Sequence, residues 1–527
     1  GPGGEAATDH LGILAKFGLS PAFPAKVEEE AKDLANAVTA DDLKNRIDYR
    51  DIFTLTIDPL DARDFDDALS LTKIDDKLWE VGVHIADVSH YVRDQTATDR
   101  EAKKRGNSTY LVGEVVPMLP HILSSGICSL VEGEERLTKC VRFRFDQNGK
   151  VKQSDIIESV IRSNKRLTYE QAILFLESKS LEEIKNAKPP PSRYSGNPGK
   201  PLSELDPKVL EQIGDTIRRL WRFASRLRKS RFENGALNLD SGEIKILVDE
   251  KGEPEEILQT ENDESHQLVE ELMLLANEAI AKELKRKGLP GIFRVHPDPD
   301  EENLEELRQF LHFFGISCGE LTSKKEVSKA LILINKHPIS QVLRIKFLRS
   351  LKQACYRHTP DGHYGLAKTD YLHFTSPIRR YSDLVVHRVI EDYLRKKSKK
   401  SSPERFESLA RHLSSTERTS VDAERESVKD KLLLLYKREI GRHPPVRHQA
   451  IITEITRRGF FIEITNTLAR GFVPIRTLPR DLRYRLSSNG TALVGKNPKH
   501  RLKLGQEIEV VIDKVFPSDK QLDFRLA

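Results

Sequence analysis

Five aspartates lie within ten residues of one another, and they are the side chains of this 527-residue chain with the clearest capacity for chemistry. Ionised carboxylates this close together repel one another, and either a bound cation or raised pKa values must relieve the repulsion. Because oxygen-only ligands are preferred by hard divalent ions, we expect Mg²⁺, with Mn²⁺ able to replace it. The five are Asp58, Asp61, Asp64, Asp66 and Asp67, in the run TIDPLDARDFDDALSL.

Two other interpretations of this run compete with a catalytic metal site. A solvated acidic turn is one, but such turns rarely follow so regular a strand pattern. A calcium-binding EF-hand loop needs glycine at position six and glutamate at position twelve. Counting from Asp58 puts Arg63 and Leu69 at those positions, and counting from Asp64 puts Leu69 and Asp75 there. The EF-hand is thereby excluded, and we favour one or two Mg²⁺ ions that activate water and neutralise a phosphoryl transition state.

Strand patterns flank the acidic run on both sides. Phe53, Leu55 and Ile57 alternate with threonines, which predicts a half-buried strand that a proline then ends. After the run, apolar residues alternate again at 69–71 and at 79–85. We therefore expect the aspartates to lie at the edge of a rigid sheet.

The composition is that of a large protein with more than one domain. A hydrophobic content of 38% is enough for several cores, and no apolar run reaches the length of a membrane span. Four widely spaced cysteines without a C-x-x-C pair indicate a reducing compartment and buried structural thiols. No secretory signal is visible, and we expect a cytoplasmic monomer that has no contact with a membrane.

Positive charge is concentrated towards the C-terminus. Residues 441–527 contain 16 Lys and Arg against 8 Asp and Glu, a net charge of +8, whereas the chain as a whole has +5. The preceding 440 residues therefore have a net charge of −3. A basic terminal module beside an acidic centre predicts a polyanionic substrate that one part binds and the other part cuts.

The last 80 residues contain five short alternating segments separated by glycine and proline turns, a pattern that predicts a five-stranded OB barrel. In the run RRGFF, two arginines precede two phenylalanines, as in a surface that stacks single-stranded bases. One phenylalanine of the pair is expected to lie in the core. The candidate RNA-binding residues of this run are Arg457, Arg458, Phe460 and Phe461.

The changes in residue pattern and charge along the chain predict three parts: a lead-in segment at 1–50, a catalytic domain at 51–440 and a barrel at 441–527. Gly1 to Gly4 resemble the remnant of a cleaved purification tag. Apolar residues at helical spacing predict long helices after Pro207 and from Glu264 to Lys287. The fold class expected is α+β and multidomain.

Four motifs, in the same order along the chain, resemble the catalytic (RNB) domain of the ribonuclease II and ribonuclease R family. They are the run from Asp58 to Leu69, VGVHIADVSHYV at 81–92, NSTYLVGEVVPMLP at 107–120 and HFTSPIRRYSDLVVHR at 373–388. The sequence IDPLDARDFDDA is more similar to the ribonuclease R branch. The C-terminal barrel resembles the S1-type RNA-binding domain of that family. The resemblance implies a mixed sheet surrounded by helices, followed by this barrel.

The resemblance also implies a function: Mg²⁺-dependent, processive 3′–5′ hydrolysis of single-stranded RNA, or of structured RNA with a 3′ overhang, to nucleoside 5′-monophosphates. Asp58, Asp64, Asp66 and Asp67 match the metal carboxylates, with Asp66 the most critical, and Asp61 matches no ligand. Arg379 matches the arginine at the scissile phosphate, and Tyr110 matches the tyrosine that stacks on the terminal base. Further matches near the terminal nucleotides are Glu424 and Glu270 or Glu271, and Arg380 is a candidate RNA contact or a structural ion pair.

Two departures from the family pattern are visible. Family members commonly have cold-shock domains ahead of the catalytic domain, whereas here the catalytic strand begins at residue 53. Either those domains were removed or this is a short member of the family, and the tag-like start favours removal. Where some members place a phenylalanine that clamps the terminal base, this chain has Leu239. The alternatives to an exoribonuclease are an RNA-binding regulator whose catalytic domain has decayed, and a DNA exonuclease or phosphodiesterase.

Overall fold

A seven-stranded sheet occupies the centre of the first two thirds of the chain, in the order β1-β8-β7-β4-β3-β2-β9. The computed structural model describes residues 6–35, 38–177, 179–187, 196–197, 199–239, 243–260, 262–397, 402–497 and 499–527. The strands of the sheet are β1 Ile47–Tyr49, β2 Thr54–Asp58, β3 Asp67–Lys73, β4 Leu78–Ala86, β7 Glu135–Asp146, β8 Val151–Arg162 and β9 Lys165–Thr168. Its two end strands, β1 and β9, pair in parallel with their neighbours, and the inner strands are antiparallel.

Helices cover both faces of this sheet, as the predicted α+β class requires. The helices are α1 Ala6–Phe17, α2 Ala25–Leu34, α3 Val88–Tyr91, α4 Ala97–Arg105, α5 Tyr169–Leu176, α6 Leu181–Asn186, α7 Pro207–Glu233, α8 Glu264–Lys287, α9 Glu301–Phe313, α10 Lys324–Lys336, α11 Ser340–Ser350, α12 Tyr381–Leu394 and α13 Pro403–Lys437. One apolar core lies between the sheet and α5, α7 and α8, and a second contains residues of α2, α12 and α13. The long helices predicted after Pro207 and at 264–287 are confirmed.

The strand before the acidic run differs from its prediction in one respect. All five residues of β2 are buried, so the strand is not half-buried. The threonines at 54 and 56 are fully buried along with their apolar neighbours, because helices pack over both faces of the sheet. The acidic run therefore starts from the interior of the domain.

The Glu and Lys content of the sequence from Val27 to Val38 predicts an exposed helix in the lead-in segment. Helix α2 instead ends at Leu34, and both Val27 and Ala31 are buried, with Ala31 in the second core. The segment is therefore part of the packed structure. Of the four free cysteines, Cys128 and Cys140 are buried as predicted, and the other two are only partly buried.

Three two-stranded sheets and a closed barrel complete the fold. The small sheets pair β5 Thr109–Leu111 with β6 Glu114–Val116, β10 Glu243–Val248 with β11 Pro254–Thr260, and β12 Phe293–Val295 with β13 Cys355–Arg357. The barrel, in the order β14-β15-β16-β21-β20, confirms the predicted five-stranded module: β14 His448–Thr456, β15 Gly459–Ile464, β16 Arg470–Pro474, β20 Glu507–Phe516 and β21 Gln521–Leu526. A further sheet, β17 Arg485–Leu486, β18 Ala492–Val494 and β19 Arg501–Lys503, lies between β16 and β20 in the chain.

Candidate active site

The acidic run forms the connection between two neighbouring antiparallel strands. Asp58 is the last residue of β2 and Asp67 the first residue of β3, so the connection joins the ends of two inner strands, and the predicted position at the edge of the sheet is wrong. Phe65 is fully buried, and its backbone N donates a 2.9 Å hydrogen bond to Ser129 Oγ. The backbone around the aspartates is thus fixed before any ligand binds.

Two of the carboxylates are buried with an oxygen that has no partner. Asp58 and Asp66 are 9% and 4% exposed. Asp66 Oδ1 accepts a 2.9 Å hydrogen bond from Ile378 N, but Asp66 Oδ2 and Asp58 Oδ2 accept none. Burial raises the pKa of both groups well above the usual range, and the charge of Asp67 raises the pKa of Asp58 further. An unpartnered buried carboxylate oxygen costs free energy that a bound cation would recover.

Asp64 and Asp67 carry the same electrostatic signature. Burial raises the pKa of Asp64, and it raises the pKa of Asp67 to about 6 even though Arg379 and Arg380 act in the opposite direction. Four neighbouring acids with raised pKa values are the pattern expected of a ligand site that lacks its counter-charge. Asp61 is different: its carboxylate forms a 2.7 Å ion pair with Lys245, so it is directed away from the other four.

The loop before α12 brings an arginine to the acidic group. Arg379 Nε lies 3.9 Å from Asp66 Oδ2, and its Nη2 donates to Ser376 Oγ at 3.1 Å. The Arg379 side chain is 42% exposed, so a ligand can reach it from solvent. The predicted pairing of a phosphate-binding arginine with the aspartates is therefore present in the geometry.

Tyr110 also contacts the acidic group. Its hydroxyl donates to Asp64 Oδ2 at 3.3 Å, and its backbone N donates to Glu424 Oε1 at 2.8 Å. The residue is 40% exposed, which is unusual for a large aromatic side chain. The structure thus brings together all the predicted carboxylates, Arg379, Tyr110 and Glu424.

Three predicted RNA-binding residues are wrong. Glu271 is buried and forms an ion pair with Arg231 between α7 and α8. Arg380 donates two hydrogen bonds, of 3.0 and 2.9 Å, to the fully buried Asp383, so it is the structural ion pair that was its other interpretation. Phe460 is fully buried in the barrel core. Glu271 is paired with a residue distant in sequence, Arg380 with a residue three positions away, and Phe460 lies on the inward-facing side of its strand.

The other predicted contacts lie at the surface of the barrel or away from the acidic site. Arg457 and Arg458 are exposed in the turn between β14 and β15. Phe461 is half-buried, with the Arg470 guanidinium 4.6 Å from its ring centroid. Leu239 packs against the apolar cluster formed by α9, α10 and α11. The RNA contacts of Arg457, Arg458 and Phe461 remain predictions.

The structure adds two residues that sequence reasoning missed. One is Tyr169, at the start of α5. Burial raises the pKa of its hydroxyl, and the charges of Asp58 and Asp67 raise it further. Arg166 is fully buried, donates a 2.5 Å hydrogen bond to Pro59 O, and is the cation that most offsets the charge of Asp58. The sequence signal near them is the capping-box spacing from Thr168 to Gln171, which predicts the start of a helix there, and both hydrogen bonds of the capping box are present.

The donor set fits a divalent cation. Unpartnered carboxylate oxygens are hard ligands, and their repulsion favours a bound positive charge. Within the described ranges, no three His, Cys, Asp or Glu side chains already converge as a metal-binding group, so the metal remains a prediction. His84 and His387 lie near the sheet and are fully buried, and burial lowers the pKa of His84 to about 3.

A comparison with known families gives two matches. The RNB domain matches residues 46–396 and the S1 RNA binding domain matches residues 447–526. Together they define an RNB-domain protein with a C-terminal S1 domain. In the described part of the chain, no helix is long and apolar enough to cross a membrane.

Individual relatives agree with this class. Ribonuclease R of Thermotoga maritima is 37% identical over 517 residues, which cover 96% of this chain and 68% of the relative. Ribonuclease R of Aquifex aeolicus is 34% identical over 519 residues, covering 98% and 69%. The solved structure of Mycoplasma genitalium RNase R with ribose methylated single-stranded RNA has a TM-score of 0.86 at 25% identity, and the match covers all of this chain and 79% of that one. The chain belongs to the ribonuclease R family, which confirms the predicted enzyme class, a 3′–5′ exoribonuclease.

Proposed function

We propose that this chain is a Mg²⁺-dependent, processive exoribonuclease that hydrolyses single-stranded RNA, and structured RNA with a 3′ overhang, to nucleoside 5′-monophosphates. The observation that carries the proposal is the pair of buried, unpartnered oxygens of Asp58 and Asp66 beside the half-exposed Arg379. A negative cluster next to a half-exposed guanidinium suits a phosphodiester, because Mg²⁺ binds the carboxylates and the guanidinium binds phosphoryl oxygens.

The four raised-pKa aspartates would hold the ion, with Mn²⁺ able to replace Mg²⁺. When bound, the ion supplies a water of lowered pKa and offsets charge on the scissile phosphate. Arg379 orients that phosphate and stabilises the charge that develops on its oxygens. Ile378 N fixes Asp66 through its Oδ1 and leaves Oδ2 directed at the site. Each residue is thus held in position before substrate binds.

Recognition of the RNA end is assigned to Tyr110. Its two hydrogen bonds to Asp64 and Glu424 hold the side chain beside the acids while its ring stays accessible for stacking on a base. A stacked terminal base would place the last phosphodiester at Arg379, and contacts to the 2′-hydroxyl would select RNA over DNA. The Mycoplasma relative solved with single-stranded RNA, whose fold this chain shares over its whole length, supports this substrate class.

The test uses two variants of the same loop. Asp66→Asn removes a proposed ligand, and Asp61→Asn is the matched control, because Asp61 is paired with Lys245 outside the cluster. Each protein is incubated with 5′-labelled single-stranded RNA, the same sequence as DNA, and a hairpin with a 3′ overhang, in Mg²⁺ and in chelator. We expect Asp66→Asn to degrade RNA about 10³-fold more slowly. Asp61→Asn should stay within about threefold of the parent protein.

Two outcomes would contradict the proposal. RNA that survives in Mg²⁺ while still binding the parent protein would identify an RNA-binding regulator without catalysis. Equal degradation by Asp66→Asn and Asp61→Asn would remove the metal carboxylates from the mechanism.

A further inference from the structure

The basic charge of the C-terminal region is concentrated in the β17–β19 sheet and its loops, which the barrel does not include. Residues 479–506 contain seven Lys and Arg and one Asp, so they hold +6 of the net +8 of residues 441–527. All seven basic side chains are exposed: Arg480, Arg483, Arg485, Lys496, Lys499, Arg501 and Lys503.

The strand register places three of these residues on one face. Arg485 lies opposite Val494, and Val494 lies opposite Arg501, so the two arginines point to the same side of the sheet. Lys503 is two residues beyond Arg501 on the same strand and shares that side. Leu493 is on the other side, where it is fully buried in the barrel core. The sheet therefore has an apolar inner face and an outer face, here called the basic face, formed by Arg485, Arg501 and Lys503.

This charge is not neutralised by the protein. Across the described ranges, no ion pair involves any of the seven basic side chains of this segment, although arginines of the barrel itself are paired. The barrel pairs are Arg447 with Glu509 at 2.7 Å, Arg470 with Glu454 at 2.9 Å, and Arg476 with Asp523 at 3.2 Å. Unpaired exposed cations on a fixed strand register are complementary to a polyanion with regularly spaced charges.

The basic face also lacks exposed aromatic rings. Tyr484 is the only aromatic residue of the segment, and it packs against the barrel core. Surfaces that bind single strands stack their bases on aromatic rings, whereas a duplex conceals its bases and presents phosphates. We propose that the basic face is a docking surface for the phosphate backbone of the base-paired part of an RNA whose 3′ strand occupies the acidic site.

The sheet is placed next to the catalytic domain, as this role requires. A Cβ at Gly505, two residues after Lys503, would lie 2.1 Å from Ile339 Cγ2, so this backbone rests against the residue that precedes α11. A duplex held there could pass its single-stranded end to the catalytic domain. The inference rests on the proposed function, which supplies the reason for a 3′ strand in that domain.

The experiment compares two triple variants with equal loss of charge. Arg485→Gln, Arg501→Gln and Lys503→Gln remove the basic face, and Lys77→Gln, Lys150→Gln and Lys208→Gln remove three exposed lysines elsewhere. Binding is measured in the Asp66→Asn background, so that RNA is not consumed, over a range of salt concentrations. The probes are a hairpin with a 3′ overhang and an unstructured strand of equal length.

We expect the basic-face variant to bind the hairpin about 10-fold more weakly at moderate salt, with a slope of log affinity against log salt that is about 2 to 3 less steep. The control triple should change neither quantity, and Arg485→Lys with Arg501→Lys should retain the hairpin affinity. With Asp66 intact, the basic-face variant should degrade a single-stranded pentamer at the parent rate. If the triple variant loses melting temperature, Arg501→Gln alone should still weaken hairpin binding about threefold.

Three results would overturn the docking surface: unchanged hairpin affinity and salt slope, the same loss in the control triple, or an equal loss for the unstructured strand. The last result would assign the face to single-stranded backbone. Failure of the proposed function would be seen separately. In that case the parent protein would not degrade the pentamer, regardless of the result of the hairpin-binding measurements.

Discussion

Two buried acidic groups lie close together at the ends of neighbouring strands of the central sheet, and their pKa values are shifted in opposite directions. Asp66 and Asp87 are neighbours across β3 and β4, since Ala86 N donates to Asp66 O at 2.9 Å. Asp87 accepts from Lys139 Nζ at 2.5 Å and from Arg46 Nη2 at 2.6 Å, and these cations lower its pKa well below the usual range despite burial. Asp66 has Oδ2 unpartnered and a raised pKa.

The presence or absence of ion-pair partners distinguishes the structural carboxylate, Asp87, from the carboxylates that we assign to a ligand. Asp87 carries its counter-charges in the fold, so its network is complete without a ligand and helps to hold the sheet to α12 through Glu391, 3.4 Å from Ser89 Oγ. Arg166 and Arg379 offset the charge of the Asp58–Asp67 group only in part, because its pKa values stay raised, and the fold tolerates that cost. A buried carboxylate oxygen that accepts no hydrogen bond from the protein is the better candidate for binding a ligand.

The largest contrast is expected between the same substitution at the two centres. Asp87→Asn leaves Lys139 buried beside an uncharged partner and should lower the free energy of unfolding by about 3 to 5 kcal/mol. Asp66→Asn removes a buried carboxyl whose charge Arg379 offsets only in part, and it should leave stability in chelator unchanged or higher. Urea unfolding of both variants in chelator measures this. Similar destabilisation by both would show that the two centres do not differ as described.

Two adjacent arginines sharpen the same comparison. Arg379→Ala should lower kcat about 10²-fold with little effect on melting temperature, because Arg379 is directed at the substrate site. Arg380→Ala leaves the fully buried Asp383 without its ion pair and should lower the melting temperature markedly. Rates and melting curves of both variants are the measurement. An active, unstable Arg379→Ala protein would reverse the assignments.

The pH dependence of stability provides a smaller effect. Burial raises the pKa of Asp67 from its ordinary value of 3.8 to about 6. The protonated carboxyl therefore favours the folded state fully below pH about 4, and this contribution is lost as the pH rises through about 6. In chelator, the parent protein should lose on the order of 1 kcal/mol more than Asp67→Asn between pH 4 and 7.5. Parallel stability profiles for the two proteins would contradict the raised pKa.

The smallest effect is expected at Tyr110. Tyr110→Phe removes the 3.3 Å hydrogen bond to Asp64 but keeps the ring, and degradation should slow by about threefold or less. Tyr110→Ala removes the stacking surface and should change the length of the final RNA product. Gel analysis of the products distinguishes the two. An unchanged product length in Tyr110→Ala would exclude the ring from holding the RNA end.

Local patterns explain which parts of the fold could be predicted. The strands around the acidic run and the five strands of the barrel have alternating side chains, and α8 ends at Gly288 with the positive φ of +62° that the sequence pattern requires. These signals lie within a few residues of the feature that they predict. Burial of both faces of β2 could not be read from the same pattern, because the covering helices are formed by residues more than 100 positions away.

The same limit explains the errors in the site. Glu271 resembled an RNA contact because its partner Arg231 is 40 residues away in the chain. Arg380 is a different case: its partner Asp383 is only three residues away, and the sequence left the ion pair and the RNA contact as equal alternatives. The residues of the basic face are spread over two strands, and only the register through Val494 shows that Arg485 and Arg501 share a side. Charge composition located the basic region, but it did not locate the surface.

The most direct test of the central claim is Mg²⁺ binding to the RNA-free protein, measured by isothermal titration calorimetry. The account predicts saturable binding to the parent protein, loss of that binding in Asp66→Asn, and retention in both Asp61→Asn and a folded Asp87→Asn. The account would be contradicted if Asp66→Asn bound Mg²⁺ with the affinity of the parent protein, or if the parent protein degraded RNA fully in chelator without binding the ion.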